Sequence, residues 1–328
     1  MRAAFYNKIG PADEVLLVGE RPTPSPHAGE VRVRVRYSGV NPSDVKSRLG
    51  SRGPVPESTS VIPHSDGMGV IESVGAGVDP ARVGERVWIW NAAWGRTEGS
   101  AAEFVVLPQA QAVVMPAEVP DEAGACFGIP ALTALHAVLT DGGVAGQRVL
   151  VAGGAGAVGH YAIQFARLCG ASQILTTVSS PAKAELARAA GATDVINYRE
   201  PGAADVILQH TRGEGVDRII ELDIAANTPL NLAVIRSGGA WVVYGSGARE
   251  FSLPFFPLIA KAILMRFFIV YTLTPNERAV AQRLLTAFLE RSALQHNIGA
   301  RFPLSAIVQA HQAVESGQVL GNVVVGLD

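Results

Sequence analysis

The segment Val31-Arg32-Val33-Arg34-Val35-Arg36-Tyr37 alternates apolar and basic residues without a break. Successive side chains of an extended chain point to opposite faces, so the alternation predicts a half-buried strand. Val31, Val33, Val35 and Tyr37 face inward and the three arginines form a solvated face. Residues 69–74, 86–90 and 103–107 read as further strands, separated by turns that carry Gly and Pro, with no long helical pattern between them. The amino-terminal part of the chain is expected to be a compact β-rich domain.

The period changes after about Asp121. Apolar runs at 149–152, 174–178, 194–197, 217–222 and 240–244 alternate with helical patterns at 157–168 and 181–190. This βα alternation predicts a doubly wound parallel sheet covered on both faces, hence an α/β fold. Ser180 before Pro181 reads as a helix cap followed by proline at the first helical position, and Gly191 as the stop. Thr274-Pro275-Asn276-Glu277 reads as a capping box opening a helix to about Arg291.

Composition narrows the function classes. With 328 residues and 48% apolar content, the chain is long enough for two domains. Lys plus Arg total 27 against 29 Asp plus Glu, a formal charge of -2 with no long run of one sign, so nucleic acid is not the expected partner. The amino terminus lacks the apolar stretch of a secretory leader, and a cytoplasmic location is expected. Cys126 and Cys169 have no CxxC spacing and are read as small core residues. The most apolar segment, 253–273, is interrupted by Pro254, Pro257, Lys261 and Arg266; it reads as a buried strand or a subunit interface, and no membrane span is expected.

The main chemical signal is the strand-turn-helix run at 149–159, where Gly153, Gly156 and Gly159 recur every three residues around Ala155, Ala157 and Val158. Glycines let backbone N–H groups approach a pyrophosphate, and the helix amino terminus adds partial positive charge. Val158, Ala162, Phe165, Ala166 and Cys169 form one stripe that can pack on the sheet. The bland reading is that the glycines serve tight packing alone. An NAD site places a carboxylate about 20 residues on, at the end of the second strand. Residues 176–183 contain no Asp or Glu, while Ser179, Ser180 and Lys183 suit a 2′-phosphate, so NADPH is the expected cofactor. Ser180 also reads as a cap and Lys183 as a surface residue, roles compatible with phosphate binding; Glu185 weighs against it.

The chain resembles the zinc-free, zeta-crystallin-like quinone oxidoreductases of the medium-chain dehydrogenase/reductase superfamily over nearly its whole length. The matching segments are Ser38-Gly39-Val40-Asn41-Pro42-Ser43-Asp44, the run at 62–70, Val83-Gly84-Glu85-Arg86-Val87, the glycine turn, Gly191-Ala192 with Asn197-Tyr198, and the terminal run at 317–322. The resemblance implies a GroES-like β-rich catalytic domain built from residues 1–122 and 265–328, a Rossmann dinucleotide-binding domain from 123–264, a cleft at their junction, and a homodimer. It adds Tyr198 and Asn322 to the cofactor set, Tyr198 holding the 2′-phosphate with Lys183. Zinc-dependent members have Cys at the position of Asn41 and a His-Glu pair at Ser65 and Asp66, and commonly a lobe with four cysteines. Neither ligand set is present, so no metal is expected. His64, one residue from the ligand position, is expected to line the cleft.

Lacking zinc and a catalytic triad, the protein's expected task is to position a hydride donor against an already electrophilic acceptor. A quinone fits best; the alternatives are an α,β-unsaturated carbonyl or enoyl thioester, and, in another class, a dinucleotide-binding structural or regulatory protein. Asn41 is the candidate for polarising the acceptor oxygen, its other role being the turn before Pro42. Lys46 stands where many relatives have tyrosine and is a candidate anchor or proton donor, or an exposed surface lysine. Trp90, Asn91 and Trp94 are candidates for an aromatic pocket wall.

Overall fold

The computed structural model describes residues 1–55 and 58–327. It divides into two compact units, residues 1–129 with 286–328, and 130–285.

The first unit opens with β1 (Arg2–Phe5), paired antiparallel to β2 (Leu17–Glu20). The long β3 (Glu30–Val40) is followed by β4 (Asp66–Val74), β5 (Arg86–Ile89), β6 (Phe104–Pro108) and β7 (Ala112–Val114). In β3 the alternation holds, with Val31, Val33 and Val35 buried. The arginines on its other face are more than a solvated surface. Arg32 and Arg34 both grip Glu72 of the neighbouring β4, at 2.7 and 2.5 Å, and Arg36 pairs with Asp121 at 2.6 Å. A basic stripe beside one acidic position fixes which strand lies next to which, although each exposed pair adds little stability.

The second unit holds β8 (Arg148–Val151), β9 (Gln173–Val178), β10 (Asp194–Asn197), β11 (Val216–Glu221), β12 (Ile235–Val243) and β13 (Leu264–Phe267). They form one parallel sheet in the order β10-β9-β8-β11-β12-β13. This is the Rossmann strand order, reversing direction beside β8. Leu150, Leu175, Ile219 and Trp241 are buried on it, as the continuous apolar runs require. Helices Ala157–Leu168 and Pro181–Ala190 have the bounds their sequence punctuation predicts. Ser180 Oγ accepts from Lys183 N, and Gly191 ends the second helix at φ 108°. Thr274 and Glu277 exchange capping-box bonds at the start of helix Pro275–Glu290.

The chain then returns to the first unit with β14 (Ile298–Pro303) and β15 (Asn322–Gly326). β15 pairs antiparallel with β3, and β14 parallel with β15, in the sheet order β14-β15-β3-β4-β5-β7 with β6 also on β3. Both chain ends therefore build the GroES-like β-rich unit. The division falls at 129/130 and 285/286 and not at 122/123 and 264/265, because β13 completes the parallel sheet before the chain turns back. Segment 253–273 is likewise not a buried strand. It forms a short helix, Phe255–Ala260, and the sheet-edge strand β13, leaving Phe255 66% and Phe256 79% exposed. No helix among the described residues is long and apolar enough to cross a membrane. Cys126 is a core residue, but Cys169 ends its helix only half-buried.

One buried cation holds the second unit together. Arg218 on β11 donates to the carbonyls of Ala137, Thr140 and Asp141 at 2.8–3.3 Å, closing the end of helix Leu132–Leu139. Those carbonyls have no intrahelical donor. Arg218→Met removes a charged donor from these carbonyls, of which Thr140 O keeps its bond from Gly143 N, so the urea midpoint should fall by an amount equivalent to about 2 kcal/mol; an unshifted midpoint would mean that water serves them equally well.

Candidate functional site

The turn after β8 sits where the sheet order reverses, at the carboxyl ends of the strands, where open α/β sheets bind ligands. Thr177 at the end of β9 fixes it. Gly153 N donates to Thr177 Oγ1 at 3.1 Å and Gly154 N to Thr177 O at 3.2 Å. The glycines have different reasons to be glycine. A Cβ on Gly159 would lie 2.2 Å from Gly153 O, and one on Gly154 2.1 Å from Thr176 Oγ1, so both are required by packing. Gly153 has φ +67°, where side chains are strained. Gly156 differs: its φ is −76°, a Cβ there would meet only Gly153 O at 3.3 Å, and it is exposed. It caps helix Ala157–Leu168 without offering a side chain, beside the buried Ala155 and the half-buried Ala157 and Val158. The packing stripe is shorter than expected, since Ala162, Phe165 and Ala166 are buried while Val158 and Cys169 are only half-buried.

The parallel pairing of Val178 with Asn197, and the bond from Tyr198 N to Val178 O at 3.0 Å, bring Tyr198 to the end of β9 beside Ser179. Ser180 and Lys183 follow in the first turn of the next helix, and no carboxylate stands between 176 and 183. Ser180 Oγ accepts the cap bond and keeps its O–H free to donate, so capping and anion binding are compatible there. Tyr198 is half exposed. On the other side of the turn a cavity of about 470 Å³ opens at the ends of β12 and β13, walled by Tyr244, Phe251, Phe267, Phe268 and Ile269. Burial, with Glu221 adding to it, raises the Tyr244 phenol and keeps it neutral. Of this wall only Phe251 lies in a segment, 251–256, that the sequence marks as able to close a cleft; Tyr244, Phe267, Phe268 and Ile269 are brought to it by the fold.

In the first unit Asn41 caps helix Pro42–Arg48 and is buried. Its backbone N donates to Asp44 Oδ2 at 2.8 Å and its Nδ2 to Asp66 Oδ2 at 2.9 Å. Asn41 therefore gives one of the two hydrogens of its Nδ2 to a carboxyl. Burial holds Asp44 at about 7 and Asp66 well above the usual carboxylate range. His64 is fully buried in a left-handed backbone conformation, φ 77°. Its Nδ1 bonds Ser38 Oγ at 2.8 Å and its Nε2 bonds His311 Nε2 at 3.0 Å. Ser38 continues to Ser100 at 2.9 Å. Both His64 nitrogens are engaged inside the protein, so it reaches a ligand only through ring carbon.

A cavity of about 570 Å³ lies against this cluster, lined by Tyr6, Asp44, Ser47, Arg52, His64 and Arg96 among others. Several expected residues are elsewhere. Lys46 is exposed in the last turn of helix Pro42–Arg48 and is not part of the lining, because Asp44 and Ser47 take the inward positions. Trp90 donates Nε1 to Ala110 O at 3.1 Å, and Asn91 is buried at φ 55°. Trp94 stands behind Arg52, whose guanidinium carbon is 4.7 Å from the indole centroid. Asn322 spends its Nδ2 on Asn297 O at 3.0 Å, closing the turn before β15. Tyr6, Arg52 and Arg96 carried no motif and were not expected.

Residues 27–117 match the alcohol dehydrogenase GroES-like domain and 157–287 the zinc-binding dehydrogenase domain. The quinone oxidoreductase of Rattus norvegicus is 30% identical over 96% of this chain and 94% of its own length, and that of Homo sapiens 30% over 97% and 94%. The chain belongs to the quinone oxidoreductase family of medium-chain dehydrogenase/reductases. Among solved structures an NAD-dependent alcohol dehydrogenase superposes with TM-score 0.89 at 28% identity, and a mycobacterial protein complexed with NADPH with TM-score 0.87 at 27%, each over the full length of both chains. Structural neighbours of this quinone oxidoreductase family member thus include both NAD- and NADPH-associated proteins, and cofactor choice rests on the residues at the end of β9.

Zinc does not fit the positions where zinc-dependent members of the superfamily hold it. Asn41 presents an N–H donor to Asp66 where a metal needs a lone pair. Among the described residues no group of three or more His, Cys, Asp or Glu could hold a metal ion.

The buried histidine pair makes a stability prediction. Burial lowers His311 to about 3 and His64 well below its ordinary value, so the unfolded chain binds more protons below about pH 6.5 and stability is lost as pH falls through that window. The raised Asp44 and Asp66 act in the opposite sense, which makes a difference measurement necessary. His311→Asn should be less stable than the unaltered protein at pH 7, and the gap in denaturant midpoint should shrink toward pH 4.5. A gap independent of pH would remove the neutral-pair assignment.

Proposed function

We propose that this chain is a zinc-independent, NADPH-dependent reductase that passes hydride to a quinone. The observation that carries the reading is the pairing of a glycine turn at the sheet's reversal with an acid-free end of β9, which is followed by Ser179, Ser180 and, in the first turn of the next helix, Lys183, and adjoined by Tyr198. Gly156 and the first turn of helix Ala157–Leu168 present backbone N–H groups to the pyrophosphate. Lys183 supplies the charge, and Ser179, Ser180 and Tyr198 the hydroxyls, for the 2′-phosphate. The aromatic cavity at the ends of β12 and β13 excludes water from the nicotinamide end. The bound cofactor supplies a hydride, and the quinone takes it with a proton from water to become the hydroquinone. Such an acceptor needs alignment more than acid catalysis, consistent with Asn41 bonding Asp66 and His64 bonding Ser38 and His311. The exposed apolar edge formed by Phe255, Phe256, Ile259, Leu264 and Phe267 supplies the surface for a homodimer.

One assay tests the reading. Protein dialysed against a chelator should still oxidise NADPH with a small quinone, and NADPH should bind more tightly than NADH. Lys183→Glu should erase that preference by about 10- to 100-fold, the worth of one charged hydrogen bond. Turnover that requires added zinc, or equal affinities in the unaltered protein, would overturn it.

A further inference from the structure

We propose that Asp44, one of two buried carboxyls joined through Asn41, is the acid of the 570 Å³ cavity, giving a hydrogen bond and then its proton to the carbonyl oxygen of a neutral ring bound there. The proposal deepens the reductase reading and rests on it for the hydride; the hydrogen bond is testable without cofactor.

Asn41 holds both carboxyls. Its backbone N donates to Asp44 Oδ2 at 2.8 Å and its Nδ2 to Asp66 Oδ2 at 2.9 Å. Asp66 is fully buried and Asp44 only 4% exposed. Two carboxylates brought to one residue and away from water do not both ionise near neutrality, so the pair retains a proton. Of the two, Asp44 lines the cavity and Asp66 does not, which makes Asp44 the member that meets a ligand. Its Oδ2 accepts from Asn41, which assigns the proton to Oδ1. The cavity has the size of a small-molecule site, and Tyr6, Pro54, Val55, Val61 and Pro63 give it apolar walls suited to a ring.

The charged and titratable groups that act on Asp44 are Tyr6 after β1, Arg52 after helix Pro42–Arg48, and Asp66 at the start of β4. Burial holds Asp44 at about 7 against the opposing pull of Asn41 and Arg52. Tyr6 and Asp66 are both raised and neutral near that pH, and His64 in the same lining is neutral as well. Below pH 7 Asp44 is therefore a neutral acid that donates to a carbonyl oxygen; above it the carboxylate only accepts and repels that oxygen. With a conjugated ketone, hydride adds to the β-carbon and the electron pairs of the alkene and carbonyl shift toward oxygen. The Asp44 O–H bond breaks, its proton joins that oxygen to give the enol, and the carboxylate left behind regains a proton from water.

Calorimetry on the full chain without cofactor compares 1-tetralone with tetralin, which lacks the oxygen. We expect 1-tetralone to bind about fivefold more tightly at pH 6, the worth of one hydrogen bond. The preference should fade at pH 8, be lost in Asp44→Ala, and become independent of pH in Asp44→Asn, whose amide donates at either pH. Circular dichroism checks the fold of both variants, and if Asp44→Ala unfolds, the pH independence of Asp44→Asn decides. A kinetic arm follows NADPH oxidation with menadione and with 2-cyclohexenone. For 2-cyclohexenone kcat/KM should fall above pH 7 in the unaltered protein; in Asp44→Asn it should be about 100-fold lower at pH 6, with no break near pH 7. A tetralone preference that is absent at pH 6, equal at pH 6 and 8, or retained in Asp44→Ala overturns Asp44 as the donor whatever the kinetics. Menadione turnover without any of 2-cyclohexenone, or a break near pH 7 that remains in Asp44→Asn, overturns the proton delivery. An Asp44-dependent tetralone preference with neither acceptor turned over supports the donor and removes the reductase reading instead.

Discussion

The approach of helix Ala157–Leu168 to the turn that precedes it is the constraint on which the second unit depends. Gly159 packs so tightly on Gly153 that no side chain fits between them, and Thr176 and Thr177 at the end of β9 close on Gly154 and Gly153 from the other side. Because the helix starts that close to β8, its first N–H groups open at the point where the sheet order reverses. The same β9 that props the turn carries Ser179 at its end, and the register of β10 against β9 adds Tyr198. One tight strand-turn-helix contact thereby places the two corners proposed for the pyrophosphate and the 2′-phosphate on a common edge.

The first unit solves a different problem with buried polar groups. Where zinc-dependent members of the superfamily hold a metal, this chain has an amide bonded to a carboxyl that burial keeps protonated, and nearby two neutral histidines bonded to each other and to Ser38. The network is incomplete, with Ser65 Oγ and His311 Nδ1 buried and without a hydrogen-bond partner among the described residues, and each such group carries a desolvation cost. Through Asp44 and His64 the cluster forms part of the wall of the adjoining cavity.

Much of this was legible in the sequence. The alternation of Val31 to Tyr37, the Ser180-Pro181 start, the Gly191 stop and the glycine turn each carry local physics; helices Ala157–Leu168 and Pro181–Ala190 have the expected bounds, while β3 runs on to Val40 and leaves Tyr37 half-buried. The edge strand β13 did not, because a short apolar strand among prolines has no period to read, and missing it set the expected domain boundary too early. Site residues divided the same way. Gly153, by its left-handed backbone, and Gly159, by its packing on Gly153, follow from local spacing, whereas the surroundings of Asn41, His64 and Asn322 depend on partners up to 247 residues away. Lys46 faces solvent because the helix phase gives Asp44 and Ser47 the inner positions, a choice that a seven-residue helix leaves undetermined in sequence.

Gly156 separates a turn built for packing from one built for a ligand. Asp is a favoured helix cap, and the backbone at φ −76° and ψ 169° accepts it, so Gly156→Asp should keep or raise the melting temperature. The same carboxylate would stand beside the pyrophosphate. The direct measurement is the equilibrium NADPH affinity of Gly156→Asp alongside its thermal unfolding: affinity should fall roughly 100-fold or more with no loss of stability, whereas a stable variant that binds NADPH like the unaltered protein would contradict the assignment of this turn as the dinucleotide site.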